Sequence, residues 1–238
     1  MEFSIRRVNA LFKKEIKDLG KNTNVLIMFM FPIIFCIIYS NLLGENISRV
    51  QVLTMCVDLN LTLISSFVIA MLIAEEKEKN TLRTLMLSAV SPLEFFTGKV
   101  LITFVTSEII NVAMFFIVSI DAKYVGKYIL LTTLVVFIMI GIGAIIGLIA
   151  PNQMATGVVG MPVIMIFYMI PMFAGINKAL TKTAEFLPNY NMNLMLKMVF
   201  KGEAIGIESV YSLAVILVWI IIIGAAFACT YNKIGIDK

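Results

Sequence analysis

The chain has 238 residues, of which 60% are apolar and only 14% charged, with a mean hydropathy of +0.98. Soluble domains are about 45–50% apolar, and one of this size could not bury so much in a single core, so the composition specifies an all-α polytopic membrane protein. Histidine is absent and the three cysteines (Cys36, Cys56 and Cys229) lie in apolar runs at spacings that match no metal site, which excludes His-based zinc centres, Ser-His-Asp triads and His-ligated haem and leaves no predicted metal site or catalytic residue.

The chain opens on a polar stretch with helical patterning over residues 4–20. Ile5, Val8, Leu11, Phe12, Ile16 and Leu19 fall in one arc at about 100° per residue, with Arg6, Arg7, Lys13, Lys14 and Lys17 opposite. Gly20 is placed to end the helix as a C-terminal cap. A cationic amphipathic helix of this kind belongs in the inner membrane interface, its cations near anionic headgroups. Glu15 breaks the pattern by falling inside the apolar arc. It is either paired with a neighbouring cation or in contact with a cytoplasmic partner.

Six apolar runs follow, each near the ~20 residues that cross a ~30 Å hydrocarbon layer: 25–43, 52–74, 100–120, 128–150, 154–176 and 209–231. The first lies behind 24 mostly polar residues and is longer than a secretory h-region, so it is expected to remain as an anchor. Between the second and third runs lies the most informative stretch, EEKEKNTLRTLMLSAVSPLEFFTGK over 75–99. Its opening charges stop the second span. Asn80 or Thr81 can then cap a two-turn helix that shows Leu82, Leu85, Met86 and Ala89 on one side. Ser91-Pro92-Leu93-Glu94 is a capping box with proline at the first helical position, which predicts a helix from Pro92 and a third span over 92–120. A short semi-apolar helix held between two spans needs a groove on another protein, unless it lies flat on the membrane.

Lys and Arg near the span ends set the orientation. With both termini inside, twelve cations lie on the cytoplasmic side and seven outside, four of those in the one long outer loop. Both termini are therefore expected in the cytoplasm.

Within the spans, Asp58, Asn60, Glu108 and Asn111 are the main strongly polar side chains. Glu108 falls near mid-membrane with Asn111 one turn away, which makes them either a polar station on a transport path or hydrogen-bonded glue between helices. Asp58 is expected to mark the outer edge of the second span. Gly143 and Gly147 form a GxxxG pair that allows close approach of backbones, within the subunit in preference to between subunits. Pro162 and Pro171 are expected to divide the fifth span. The outer segment 177–208 carries Phe186-Leu187-Pro188 and then Met192, Met195, Leu196, Val199 and Phe200 at helical spacing. It is expected to form short helices dipping into the outer interface, as a gate or as a lid.

The stretch 75–99 resembles the signature region of type-2 ATP-binding-cassette (ABC) exporter permeases. That family has an acidic E-K/R-E segment, a G-T-L-E-like turn, a leucine-rich helix and an S-P…G-K segment after its second span. KKEIKDLGKNTNVLI over 13–27 is similar to the family's amphipathic connecting helix, and the six spans and in–in orientation agree. Asn80 stands where the family has glycine, and Arg83 where it has glutamate. The resemblance implies a permease that pairs with a second, identical copy around a translocation path, in a bacterial cytoplasmic membrane. Each copy would dock on a separate ABC ATPase that binds the ATP and Mg. The coupling helix would be 82–88, with Thr81, Leu82, Arg83, Leu85, Met86, Ser88 and Glu15 as ATPase contacts. The first and fifth spans would line the path with Phe29, Phe31, Phe35, Met161, Met165 and Phe167. Glu108 and Asn111 are assigned to the same path, and Phe186, Leu187 and Pro188 to the outer gate, where the family has short re-entrant helices.

The chain itself has no P-loop, because Gly98-Lys99 is followed by Val100 and lacks the earlier glycine of GxxxxGK[ST], so it is not the motor and not an enzyme. Glu75-Glu76 is similar to the opening of a CAAX-type membrane protease motif, but residue 80 is Asn and the histidines such enzymes need are missing. The chain is most similar to the small permeases of Gram-positive peptide exporters, those for phenol-soluble modulins and bacteriocins. That resemblance implies export of amphipathic peptides and no nucleic-acid partner. A drug, ion or lipid-linked glycan permease, or an immunity or sensor protein on the same scaffold, are the alternatives.

Overall fold

The computed structural model describes residues 3–42, 47–79, 91–203 and 206–234. Every regular element among them is helical, as hydrocarbon requires of a chain that must satisfy its own backbone donors and acceptors. Helix α1 (Ile5–Leu19) precedes the first span, α2 (Thr23–Leu42). The second span is one continuous rod made of α3 (Arg49–Asn60), a π-helical stretch (Leu61–Val68) and α4 (Ile69–Glu78). Helix α5 (Pro92–Ile117) forms the third span, and a 3-10 turn (Ala122–Tyr124) leads into α6 (Val125–Ile149), the fourth. The fifth span is α7 (Gln153–Phe173), followed by α8 (Lys178–Ala184) and α9 (Pro188–Lys201) in the outer connection, and α10 (Ile207–Ile234) is the sixth.

Among the described residues, six helices are thus long and apolar enough to cross a membrane. The second and fourth are central, with 78% and 61% of their most apolar windows buried, against 6% for the sixth. Gly143 and Gly147 are what bring those two together. A Cβ at 143 would overlap the carbonyl oxygen of Ser66, and one at 147 would lie 2.8 Å from that of Ala70. Ser66 belongs to the wider π-helical stretch, so the fourth span needs a residue without a side chain opposite it. The glycine pair therefore serves packing within the chain.

Both capping signals act as read, and the proline signal does not. The capping box at Ser91 forms in full: Ser91 Oγ accepts from the Glu94 N–H at 3.3 Å and Glu94 Oε2 accepts from the Ser91 N–H at 2.9 Å. Gly20 ends α1 as its C-cap, in a right-handed conformation (φ −63°), with its N–H donating to the Ile16 carbonyl and the Lys21 N–H to that of Asp18. Pro162 does not divide the fifth span. Helix α7 passes through it unbroken, and Pro171 lies in its last turn. The outer segment does form two helices, of which α9 buries Met192, Leu196 and three asparagines against α3, α6 and α10.

Candidate functional site

The second span ends on Glu75-Glu76-Lys77-Glu78, and at ~100° per residue four successive side chains leave a helix in four directions. Glu75 pairs with Lys79 along its own helix. Glu76 is buried and accepts from Lys14 of α1 at 2.7 Å and Lys99 of α5 at 3.3 Å. Lys77 donates to the Leu148 and Ala150 carbonyls at the end of α6, at 2.7 and 2.6 Å. Glu78 accepts from the Gln153 N–H, the first residue of α7, at 3.0 Å.

The centre of this junction is Lys99, which is only 1% exposed. Its ammonium donates to both oxygens of Glu15, at 3.0 and 3.1 Å, as well as to Glu76, and lies 5.2 Å from the centre of the Phe95 ring. A buried lysine is rare because its charge loses water; here two carboxylates replace the water and Lys14 balances them. Lys14 stays protonated above the usual lysine range, since burial lowers its pKa but the bond to Glu76 and the charges of Glu15, Glu76 and Asp18 outweigh that. The Gly98-Lys99 pair now has a physical reason. A Cβ at Gly98 would meet the Leu11 Cβ at 3.1 Å, so glycine lets α1 approach closely enough for the next residue to reach Glu15.

Glu94 ties α1 down a second time. Besides capping α5, its carboxylate accepts from the Ser4 N–H at 2.6 Å and from Arg7 through Nε at 3.0 Å and Nη2 at 2.8 Å. That fork raises the already high Arg7 pKa through the Glu94 hydrogen bond. The apolar face of α1, with Val8, Leu11 and Leu19 buried, therefore packs on α5. Glu15, expected as an ATPase contact, is buried and points inward onto Lys99. Thr81, Leu82, Arg83, Leu85, Met86 and Ser88, expected on the coupling helix, lie outside the described residues.

Deeper in the membrane, the polar side chains knit spans two, three and four together. Asn60 donates to Asn111 Oδ1 at 2.8 Å and to the Ser107 carbonyl at 3.0 Å, and Ser65 and Ser107 share a hydrogen bond of 2.8 Å. The Tyr128 hydroxyl donates to the Asn111 carbonyl, and Thr132 to Glu108 Oε2 at 3.1 Å. Asp58 is buried: Asn189 and Asn193, one turn apart on α9, donate to it at 3.3 and 2.6 Å. This clamp holds the outer helix on the second span, and nothing in the spacing of the sequence pairs residues so far apart.

Phe35 and Met165, expected on the path, fall on two of the less buried spans. Phe35 lies between Phe31, tilted against it, and Tyr39, edge-on to it, along α2, at 4.5 and 5.2 Å between ring centres. Met165 is 47% exposed on α7 beside exposed Met161, Met169 and Met172. Phe167 departs from the expectation, since it is buried against Trp219 of α10 and lines no open face. Of the outer gate residues, Phe186 is exposed and its carbonyl accepts from Trp219, while Leu187 and Pro188 are buried at the start of α9. Among the described residues no cluster of His, Cys, Asp and Glu could hold a metal ion.

A search of curated proteins finds no match to the chain. A family model described as ABC-2 family transporter protein matches residues 50–226, from the start of the second span to within the sixth. The chain therefore belongs to the ABC-2 family of transporter proteins, as a multi-pass permease component that works with an ABC ATPase.

Proposed function

We propose that this permease is the membrane subunit of an ATP-driven exporter of amphipathic peptides, in a bacterial cytoplasmic membrane with both termini inside. The observation that carries the reading is the ion cluster of Lys14, Glu15, Glu76 and Lys99, which fuses α1 and spans two and three immediately beside the segment 80–90. Two partner ATPases that bind ATP and Mg grip Leu82, Leu85 and Met86 of that segment, with Thr81, Arg83 and Ser88 at the rim, and their closure pushes the fused block as one body. A second, identical copy faces the open sides of α2 and α7, so that Phe35 and Met165 line an apolar, adaptable path suited to an amphipathic helix. Glu108 and Asn111 form the polar seam behind that path, and Phe186, Leu187 and Pro188 stand at its outer mouth.

The test is transport into inverted vesicles carrying the permease with its ATPase. ATP-dependent uptake of a labelled amphipathic peptide is expected. Uptake of a drug or a small ion with no effect of the peptide would overturn the substrate assignment, and absence of any ATP-dependent uptake would favour an immunity or sensor role.

A further inference from the structure

The last turn of the second span holds the leading elements of both spans assigned to the path. Glu76 reaches α1 through Lys14, and α1 runs through the turn at Gly20-Lys21-Asn22 directly into α2, the first span. Its neighbour Lys77 faces the other side and donates to the last carbonyls of α6, at 2.7 and 2.6 Å, just before the tight turn that starts α7, the fifth span. These are the free carbonyls that a helix leaves at its C-terminal end, where a cation is most favourably placed. Glu78 completes the grip on the Gln153 N–H, one of the free donors at the start of α7. The packing agrees, because α4 lies against both α6 and α7, with Gly147 of α6 in contact with Ala70.

We propose that Glu76 and Lys77 are positioning residues that divide one input between two outputs: Glu76 moves the first span through α1, and Lys77, assisted by Glu78, moves the fifth span through the α6–α7 turn. The inference rests on the exporter reading and deepens it. It makes the motion of the fifth span depend on a side-chain clasp, since the chain between the second and fifth spans crosses the membrane once and returns once.

The experiment uses the permease with its ATPase in nanodiscs, in a background with Cys36, Cys56 and Cys229 changed to alanine. Spin labels go on Lys21→Cys, just before the first span, or on Met154→Cys, at the exposed start of α7. The distance between the two copies of each label is measured nucleotide-free and in the ATP–vanadate state. In the otherwise unchanged protein both distances shift. In Lys77→Met the Met154→Cys shift is lost and the Lys21→Cys shift is retained; in Glu76→Gln the pattern reverses. Lys77→Arg, which keeps a cationic donor, restores both shifts, and Glu78→Gln on the exposed side gives a partial loss at Met154→Cys only. A merely structural role would weaken both distances together. Equal effects of Lys77→Met and Glu76→Gln on the two labels, or shifts unchanged in Glu78→Gln and Lys77→Met, overturn the division of roles. Distances that do not move even without these substitutions overturn the exporter reading itself.

Discussion

Removing the Lys99 ammonium tests the charged junction at its most buried point. In Lys99→Met, Glu15 and Glu76 keep their burial but lose the cation that sits 3.0 to 3.3 Å from both. Lys14 remains 2.7 Å from Glu76 but 3.6 Å from Glu15, so Glu15 becomes the more weakly compensated charge. Breaking a buried pair from one side costs about 3–5 kcal/mol, whereas replacing both members with apolar groups is often close to neutral. The double variant Glu15→Leu with Lys99→Met should therefore recover most of the stability that Lys99→Met loses. The assay is unfolding in mixed micelles across the four proteins of the cycle. Losses that simply add in the double variant would mean that Glu15 and Lys99 are not coupled, and would refute the geometry of the junction.

Further substitutions probe other contacts. Gly143→Ala drives a methyl group into the Ser66 carbonyl and should cost about 1–3 kcal/mol or more by overpacking, whereas Gly157→Ala, with open space around its Cβ, should change nothing in the same unfolding assay. Asp58→Leu removes the acceptor for Asn189 and Asn193, two buried hydrogen bonds worth about 0.5–1.5 kcal/mol each, and should raise hydrogen exchange across α9 while leaving the Glu94-capped start of α5 protected. Leu85→Glu with Met86→Glu should abolish copurification of the ATPase without altering the unfolding midpoint of the permease; unchanged copurification would remove the docking assignment.

What the sequence made legible follows from how local each signal is. The six spans are read from about 20 consecutive apolar residues apiece, and the start of α5 from four residues at Ser91–Glu94, because a capping box is complete within one turn. Glu15 was visible as an anomaly in an apolar arc, but its partner lies at Lys99, and no periodicity links two residues on separate helices. The same holds for Asp58 with Asn189 and Asn193: a carboxylate near a span end looks like an edge until the helix that covers it is in place. Lys77 counted only as one more cytoplasmic cation in the charge balance, and its place on the free carbonyls of α6 depends on the close crossing that Gly147 permits. The π-helical stretch carries no signal in composition, since Leu61–Val68 reads as an ordinary apolar helix.

The central claim is that the segment between the second and third spans is gripped by a nucleotide-hydrolysing partner. It is tested most directly by placing a photo-crosslinking amino acid at Leu85 in membranes that hold the permease and a co-expressed ABC ATPase subunit. The account predicts a crosslink to the ATPase that is lost when Met86 is changed to glutamate. Crosslinks to lipid alone, with the ATPase present and active, would contradict it.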